Sequence, residues 1–280
     1  MRAPRALTRR GALLLAAGLV VAGAAHAQLP SGDDPDASPI WQKVRASYFE
    51  NRPIAAATRD TLVLEAPSRA VDAAVVPIAI RSKLPQQAGR YVSKLYLFID
   101  ENPSPVAAIF TLSPESGRAD IETRVRIDAY SFVRAVAETN DGKLMMATKF
   151  VKASGGCSAP AGTDPKAALA TLGQMRFRVD GDVNGREPVL AQLQINHPNH
   201  SGLAMDQSTR QFTPSHFVRR IDVSYGNRSL LTADVDFSIS ENPTFRFWFL
   251  PQGAADLKAT VIDSHELRFV AAQAVREGVR

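Results

Sequence analysis

From Thr61 onward the chain is cut into short runs of alternating apolar and polar residues, and that pattern leaves few folds open to it. The clearest run is Thr123-Arg-Val-Arg-Ile-Asp128, apolar on one face and charged on the other. Successive side chains of a strand point to opposite faces, so runs of this kind build sheets that bury one face. Six runs precede residue 153: Thr61–Glu65, Val75–Ile80, Tyr91–Asp100, Ile121–Ala129, Ser131–Glu138 and Lys143–Val151. Seven follow: Gln174–Asp180, Val189–Asn196, Phe217–Tyr225, Leu230–Phe237, Thr244–Leu250, Leu257–Asp263 and Glu266–Ala272. Pro, Asn-Pro and the hairpin signal Asn140-Asp141-Gly142 punctuate them. Helix is predicted in two short stretches. Ser38 can cap a helix carrying Ile40, Trp41, Val44 and Tyr48, with Pro53 beyond its end, and Asp164 to Leu172 forms a smaller patch. The prediction is an all-β protein of two immunoglobulin-like antiparallel β-sandwich domains packed on each other. The halves also echo one another, since Glu101-Asn102-Pro103 and Glu241-Asn242-Pro243 each follow one apolar run and lead into the next.

Between the halves lies Ala153 to Pro165, which has no bulky apolar residue to fasten it to a core and carries Gly155, Gly156 and Gly162. This composition predicts a flexible Gly-rich linker. The expected organisation is therefore a signal peptide over residues 1–27, a leader and short helix over 28–59, a sandwich over 60–152, the linker over 153–165 and a second sandwich over 166–273. Arg2, Arg5, Arg9 and Arg10 form a basic start, Gly11 to Gly23 is apolar, and Ala25-His26-Ala27 is a small-x-small cleavage site. These features predict export to a periplasm by the general or the twin-arginine route. Removing the four arginines leaves 29 basic against 28 acidic residues, so the alkaline character belongs to the leader and argues for neither nucleic acid nor membrane insertion.

The chain has one cysteine, Cys157, which in an oxidising compartment has no internal partner. Flanked by Ser154, Gly155, Gly156 and Ser158, it is expected to be exposed, with the glycines lending the arm flexibility and Lys149, Lys152 and Lys166 favouring the thiolate. A mobile arm suits a carried group better than a catalytic nucleophile, which needs a base held at fixed geometry. No catalytic residue and no cofactor is predicted. His197, His200 and His216, with Asp206 as the one nearby carboxylate, are read as loop hydrogen-bonders rather than metal ligands. Gly155-Gly156 is no phosphate loop. Phe245-Arg-Phe-Trp-Phe249 reads as a core strand with Trp248 at an interface.

At these residues a resemblance emerges. Residues 60–157 resemble SoxY, the sulfur-carrying subunit of the bacterial thiosulfate-oxidising system, through Thr61-Leu-Val-Leu-Glu-Ala-Pro67, Val75-Val-Pro-Ile78, Asp100-Glu-Asn-Pro103, Ile121-Glu-Thr-Arg-Val-Arg126, Asp141-Gly-Lys143 and Gly155-Gly-Cys157. Residues 165–272 resemble its partner SoxZ, through Met175-Arg-Phe-Arg178, His197-Pro-Asn-His-Ser-Gly202, Met205-Asp206, Thr209-Arg210, Pro214-Ser-His-Phe217 and Ser238-Ile-Ser-Glu-Asn-Pro243. The resemblance is to fused SoxYZ-like carriers that accompany periplasmic quinoprotein dehydrogenases. It implies a non-enzymatic protein holding a sulfur-type adduct on Cys157 and presenting it to periplasmic redox enzymes, whether Sox-type or of a quinoprotein dehydrogenase system. The alternative is an accessory module for such a dehydrogenase in which Cys157 carries nothing. SoxY ends at its cysteine in a free Gly-Gly-Cys-Gly-Gly tail, whereas here Ser158-Ala159-Pro160 and a whole further half follow.

Overall fold

The computed structural model describes residues 34–50, 52–181, 183–206 and 209–276. The expected signal peptide lies outside them. Helix α1 (Pro39–Phe49) begins where Ser38 Oγ accepts the Trp41 N–H at 3.1 Å, the cap the sequence predicts. Eight strands follow before the linker: β1 (Ile54–Ala56), β2 (Leu62–Glu65), β3 (Val76–Ser82), β4 (Val92–Ile99), β5 (Val106–Leu112), β6 (Ile121–Val125), β7 (Ser131–Thr139) and β8 (Leu144–Val151). After it come α2 (Pro165–Ala170), capped by Asp164, and seven strands. These are β9 (Met175–Asp180), β10 (Val189–Ile195), β11 (Val218–Tyr225), β12 (Arg228–Val235), β13 (Thr244–Phe249), β14 (Ala255–Asp263) and β15 (Arg268–Val275). No helix among the described residues is long and apolar enough to cross a membrane.

The protein is all-β with immunoglobulin-like halves, as expected, but the halves are joined edge to edge rather than packed face to face. One sheet of nine strands runs β1-β8-β7-β4-β5-β12-β11-β14-β15, and a second of six runs β2-β3-β6-β13-β10-β9. Each therefore passes through both halves. The seam in the larger sheet is the antiparallel pair β5–β12, with Phe110 opposite Ala233 and Leu112 opposite Leu231. In the smaller sheet it is β6–β13, with Glu122 opposite Arg246. Edge strands with unpaired backbone groups favour such joining, because each seam satisfies groups that two separate sandwiches would leave to water. The apolar faces between the sheets form one continuous core, from Leu62, Ile80 and Leu95 through Phe110 and Phe245 to Tyr225, Phe249 and Val261. Phe110 and Phe245 meet across the seam edge to face, 6.1 Å between centroids.

Helix α1 covers the outer face of the larger sheet, packing Trp41, Val44 and Phe49 on Tyr96, Phe98, Val136 and Leu144. Strands β4 and β7 are thus buried on both faces, which explains why their sequences lack the clean alternation of β6. Arg134 of β7 is fully buried here. Its Nε and Nη2 grip Asp100 at 2.9 and 2.7 Å, and its guanidinium lies 4.6 Å from the Trp41 ring centroid. The aromatic run of β13 buries Phe245, Phe247 and Phe249, while Trp248 on the other face stacks under Arg118 at 4.3 Å.

Candidate functional site

The linker is anchored on both sides of Cys157, so the expectation of a flexible, exposed arm does not describe it. Gly155 N donates to Asp128 O at 2.7 Å and Gly156 N to Ile127 O at 3.0 Å. Cys157 N reaches Asp128 Oδ1 at 3.3 Å, and Ser201 Oγ donates to Cys157 O at 2.5 Å. Farther on, the Glu241 carboxylate accepts from Gly162 N at 2.8 Å and Thr163 N at 3.1 Å. Gly156 is the tightest point. A Cβ there would stand 2.1 Å from Ala73 O and 2.6 Å from Ile127 O, so only glycine fits. Gly155 supplies the turn, with φ of +78°. The small residues read as flexibility are what let the chain enter a crevice between backbones.

Cys157 is fully buried. Burial pushes its thiol up to about 12; the Asp128 carboxylate adds to this, and the Arg126 guanidinium opposes it. Docked in this way, the thiol is neutral and a poor nucleophile. The expected help from Lys149, Lys152 and Lys166 is absent from the charges that act on it.

Both halves build the crevice, and their Glu-Asn-Pro echoes do equivalent work. In the first half, Asn102 Nδ2 donates to Arg126 O at 2.8 Å and Asn102 Oδ1 accepts from Asp128 N at 2.9 Å, fixing the wall against which Gly155 and Gly156 bind. In the second half, Asn242 Oδ1 accepts from His197 N at 3.1 Å, and Asn242 N donates to His197 O at 2.9 Å. That holds the His197–Ser201 loop, whose Ser201 grips Cys157. Asn199, fully buried, ties the loop onward to Ile239 O at 2.6 Å and Val218 N at 2.9 Å. Arg126 lies between the two walls, 4% exposed, with Nη1 3.5 Å from Gly156 O and Nη2 3.4 Å from Asn199 O. The sequence reading singled out neither Arg126 nor Asn199 for a role, although both fall within quoted motifs. The repeated Asn-Pro was the signal that could have found the walls.

His197 and His216 do come together, with Asp263 rather than Asp206. One ligand-type atom from each of His197, His216 and Asp263 lies within 4.8 Å of the others. His216 Nε2 stands 2.7 Å from Asp263 Oδ2 and His197 Nε2 3.5 Å from the same oxygen. Asp263 Oδ1 accepts from His265 N and Leu267 N, both at 2.9 Å. Within this cluster His197 Nε2 is buried and has no hydrogen-bond partner among the described residues. Asn199 N donates to His197 Nδ1 at 3.0 Å, so Nδ1 is the unprotonated nitrogen and Nε2 carries the hydrogen that faces Asp263. A metal would need that Nε2 position as a lone pair. Burial and the neighbouring His216 push His197 down to about 4, keeping it neutral. His200 is half-buried and paired through its backbone to His216.

A cleft of about 550 Å³ lies elsewhere, on the smaller sheet at Pro77, Glu122 and Arg246. Its charges satisfy one another, with Glu122 held by Arg81 at 2.6 Å and Arg246 at 2.8 Å.

Comparison with known proteins returns two families. The one described as sulfur oxidation protein SoxY matches residues 45–157, and the one described as sulphur oxidation protein SoxZ matches residues 177–274. No curated protein matches the chain. Among solved structures, the chain is similar to the sulfur carrier protein SoxY from Chlorobium limicola f thiosulfatophilum, at 24% identity over 41% of this chain and 96% of that one, with a TM-score of 0.35. It is also similar to a superoxide reductase (neelaredoxin) from Ignicoccus hospitalis, at 17% identity over 34% of this chain and 80% of that one, with a TM-score of 0.30. Fibronectin(III)-like modules of CbhA from Clostridium thermocellum align at 12% identity over 79% of this chain and 94% of theirs, with a TM-score of 0.23.

Proposed function

The chain belongs to the SoxY and SoxZ families of sulfur oxidation proteins, fused in that order in one polypeptide, and from that premise we propose that it is an exported periplasmic carrier holding a sulfur-type adduct on Cys157. The supporting observation is how the cysteine is held. The SoxY match ends at Cys157, and the docked arm is retained on both sides mainly by hydrogen bonds to the two halves rather than by bulky apolar side chains. Contacts of that kind are exchangeable with water, each worth about 1 kcal/mol net, so docking is reversible. Docked, the thiol is protected from oxidation. Released, it regains an ordinary cysteine acidity and becomes a nucleophile. Counted from Lys152, the freed chain reaches at most roughly 17 Å to Cys157. The arm then presents its cargo at the tip of a loop two chains wide, to partner redox enzymes with an open cleft rather than a narrow tunnel.

The burial of Cys157 favours a second reading, in which the chain is an accessory module for a periplasmic quinoprotein dehydrogenase and the cysteine only packs. Intact-mass spectrometry of protein taken directly from its host separates the two. The carrier reading expects a reducible mass increment at Cys157 and loss of function in Cys157→Ser. A bare thiol throughout, with a normal phenotype for Cys157→Ser beside a clear one for the deletion, would leave the accessory module.

A further inference from the structure

We propose that the free edge of β15 is an interface for a second copy of this chain, the two β15 strands pairing antiparallel about a two-fold axis at Ala271. The proposal is independent of the carrier reading. Its starting observation is a long sheet edge without protection. Strand β15 ends the nine-stranded sheet and pairs with β14 alone. Asp263 N donates to Leu267 O at 3.1 Å, so the backbone of Leu267 faces β14. Pairing continues to Val275 without a register shift, and alternation therefore turns the N–H and C=O groups of Arg268, Val270, Ala272 and Ala274 outward. Among the described residues, only the exposed Gln273 amide bonds to one of these groups, donating to Ala274 O at 3.2 Å. The side chains of the same four residues are exposed, Val270 at 57%. The smaller sheet leaves this edge open, since a cleft of about 420 Å³ at Phe177, Val179 and Val275 lies between β9 and the end of β15.

The other three sheet ends carry features that keep edges from pairing. Strand β1 has three residues, β2 has four and ends in Glu65, and β9 carries Arg176, Arg178 and Asp180. In its eight residues β15 has one charge, Arg268, and that charge selects the register. In an antiparallel self-pair, outward-facing residues must oppose outward-facing residues, so the axis passes through a residue rather than between two. With the axis at Ala272, Arg268 would stand against Arg276 of the second copy, a repulsive pair. With the axis at Val270, the strands would overlap only from Arg268 to Ala272. At Ala271 all four outward residues pair, Arg268 with Ala274 and Val270 with Ala272, while Glu266 and Arg276 meet at both ends of the ladder. The exposed Val270 is then covered, and the larger sheet continues across the axis as it does across the β5–β12 seam. Growth stops at two, because a two-fold interface uses the same edge on both copies.

Sedimentation equilibrium of the purified protein is the test, run with dithiothreitol so that no disulfide through Cys157 contributes. The expected result is a monomer–dimer equilibrium. Ala274→Lys places a like charge opposite Arg268 at two symmetric positions and should raise the dissociation constant about tenfold, equivalent to about 1.4 kcal/mol. Ala274→Glu should lower it by a similar factor. These signs reverse with the axis at Val270, where residue 274 faces Glu266. Ala272→Pro removes an outward N–H without touching the β14 ladder, and should leave a monomer with unchanged circular dichroism. If the proline variant does not fold, the two charge variants, both at an exposed position, decide alone. A monomer at every concentration, a dimer indifferent to residue 274, or charge effects of the opposite sign would overturn the proposal.

Discussion

A backbone N–H decides the chemistry of His197. With Asn199 N on Nδ1, the ring is held as the neutral Nε2–H form, buried against Asp263. Its folded acidity near 4 lies below the ordinary 6.5, so between those values the unfolded chain binds more protons than the folded one. Stability is therefore fully present above about pH 6.5 and is lost as the pH falls toward 4, by up to about 3 kcal/mol. Asp263, whose carboxyl is held below its ordinary value by its hydrogen-bond donors against the opposing effect of burial, acts in the same direction in a lower window, beneath about pH 4. Urea titrations across this range should show the slope, and His197→Asn, whose carbonyl can still accept the Asn199 N–H, should flatten it between pH 6.5 and 4. The same proton argues against a metal. Protein purified without chelator should contain none in stoichiometric amount. About one zinc or copper per chain, lost in both His197→Ala and His216→Ala, would show that the His197 ring reverses its tautomer.

The linker shows how an element with no apolar side chains can still be ordered. Its small size lets backbone approach backbone, and hydrogen bonds to Asp128, Ile127, Ser201 and Glu241 replace the missing hydrophobic contacts. Gly156→Ala tests this, because its Cβ would overlap Ala73 O and force the arm from the crevice. The expected outcome is labelling of Cys157 by a neutral thiol reagent at least about tenfold faster than in wild type, with little change in global stability. Gly155→Ala, whose Cβ would make only ordinary contact with Ser158 Oγ at 3.9 Å but sits on a left-handed backbone, should cost about 1 kcal/mol and move the rate less. Identical rates in wild type and Gly156→Ala would mean that the crevice does not control the thiol.

For the whole molecule, the continuous core makes the two halves one folding unit. Both sheets cross the seam, and Phe110 from the first half packs on Phe245 from the second. Phe110→Ala should lower stability by about 3–5 kcal/mol. Its denaturant curve, followed by tryptophan fluorescence and by circular dichroism, should keep a single coincident transition. Two separated transitions, with only one shifted, would mean that the halves unfold independently.

Much of this architecture is local information. Alternation along β6, the Ser38 cap of α1, the Asn140-Asp141-Gly142 turn and the aromatic run of β13 each state their structure within a few residues, since strand period, capping and turn geometry depend on near neighbours. The lone cysteine and the motifs of both families are equally local. What the tertiary structure alone decided are pairings between distant residues: the joining of β5 to β12, the meeting of His197 with Asp263, the burial of Cys157 under Ser201, and the placing of Arg126 against the carbonyls of Gly156 and Asn199. Local composition describes how freely a segment could move. Whether it does move depends on which groups the rest of the chain brings within hydrogen-bond distance, and for the N–H groups of Gly155, Gly156 and Cys157 and the carbonyl of Cys157 those groups lie 27 or more residues away along the chain, in both halves.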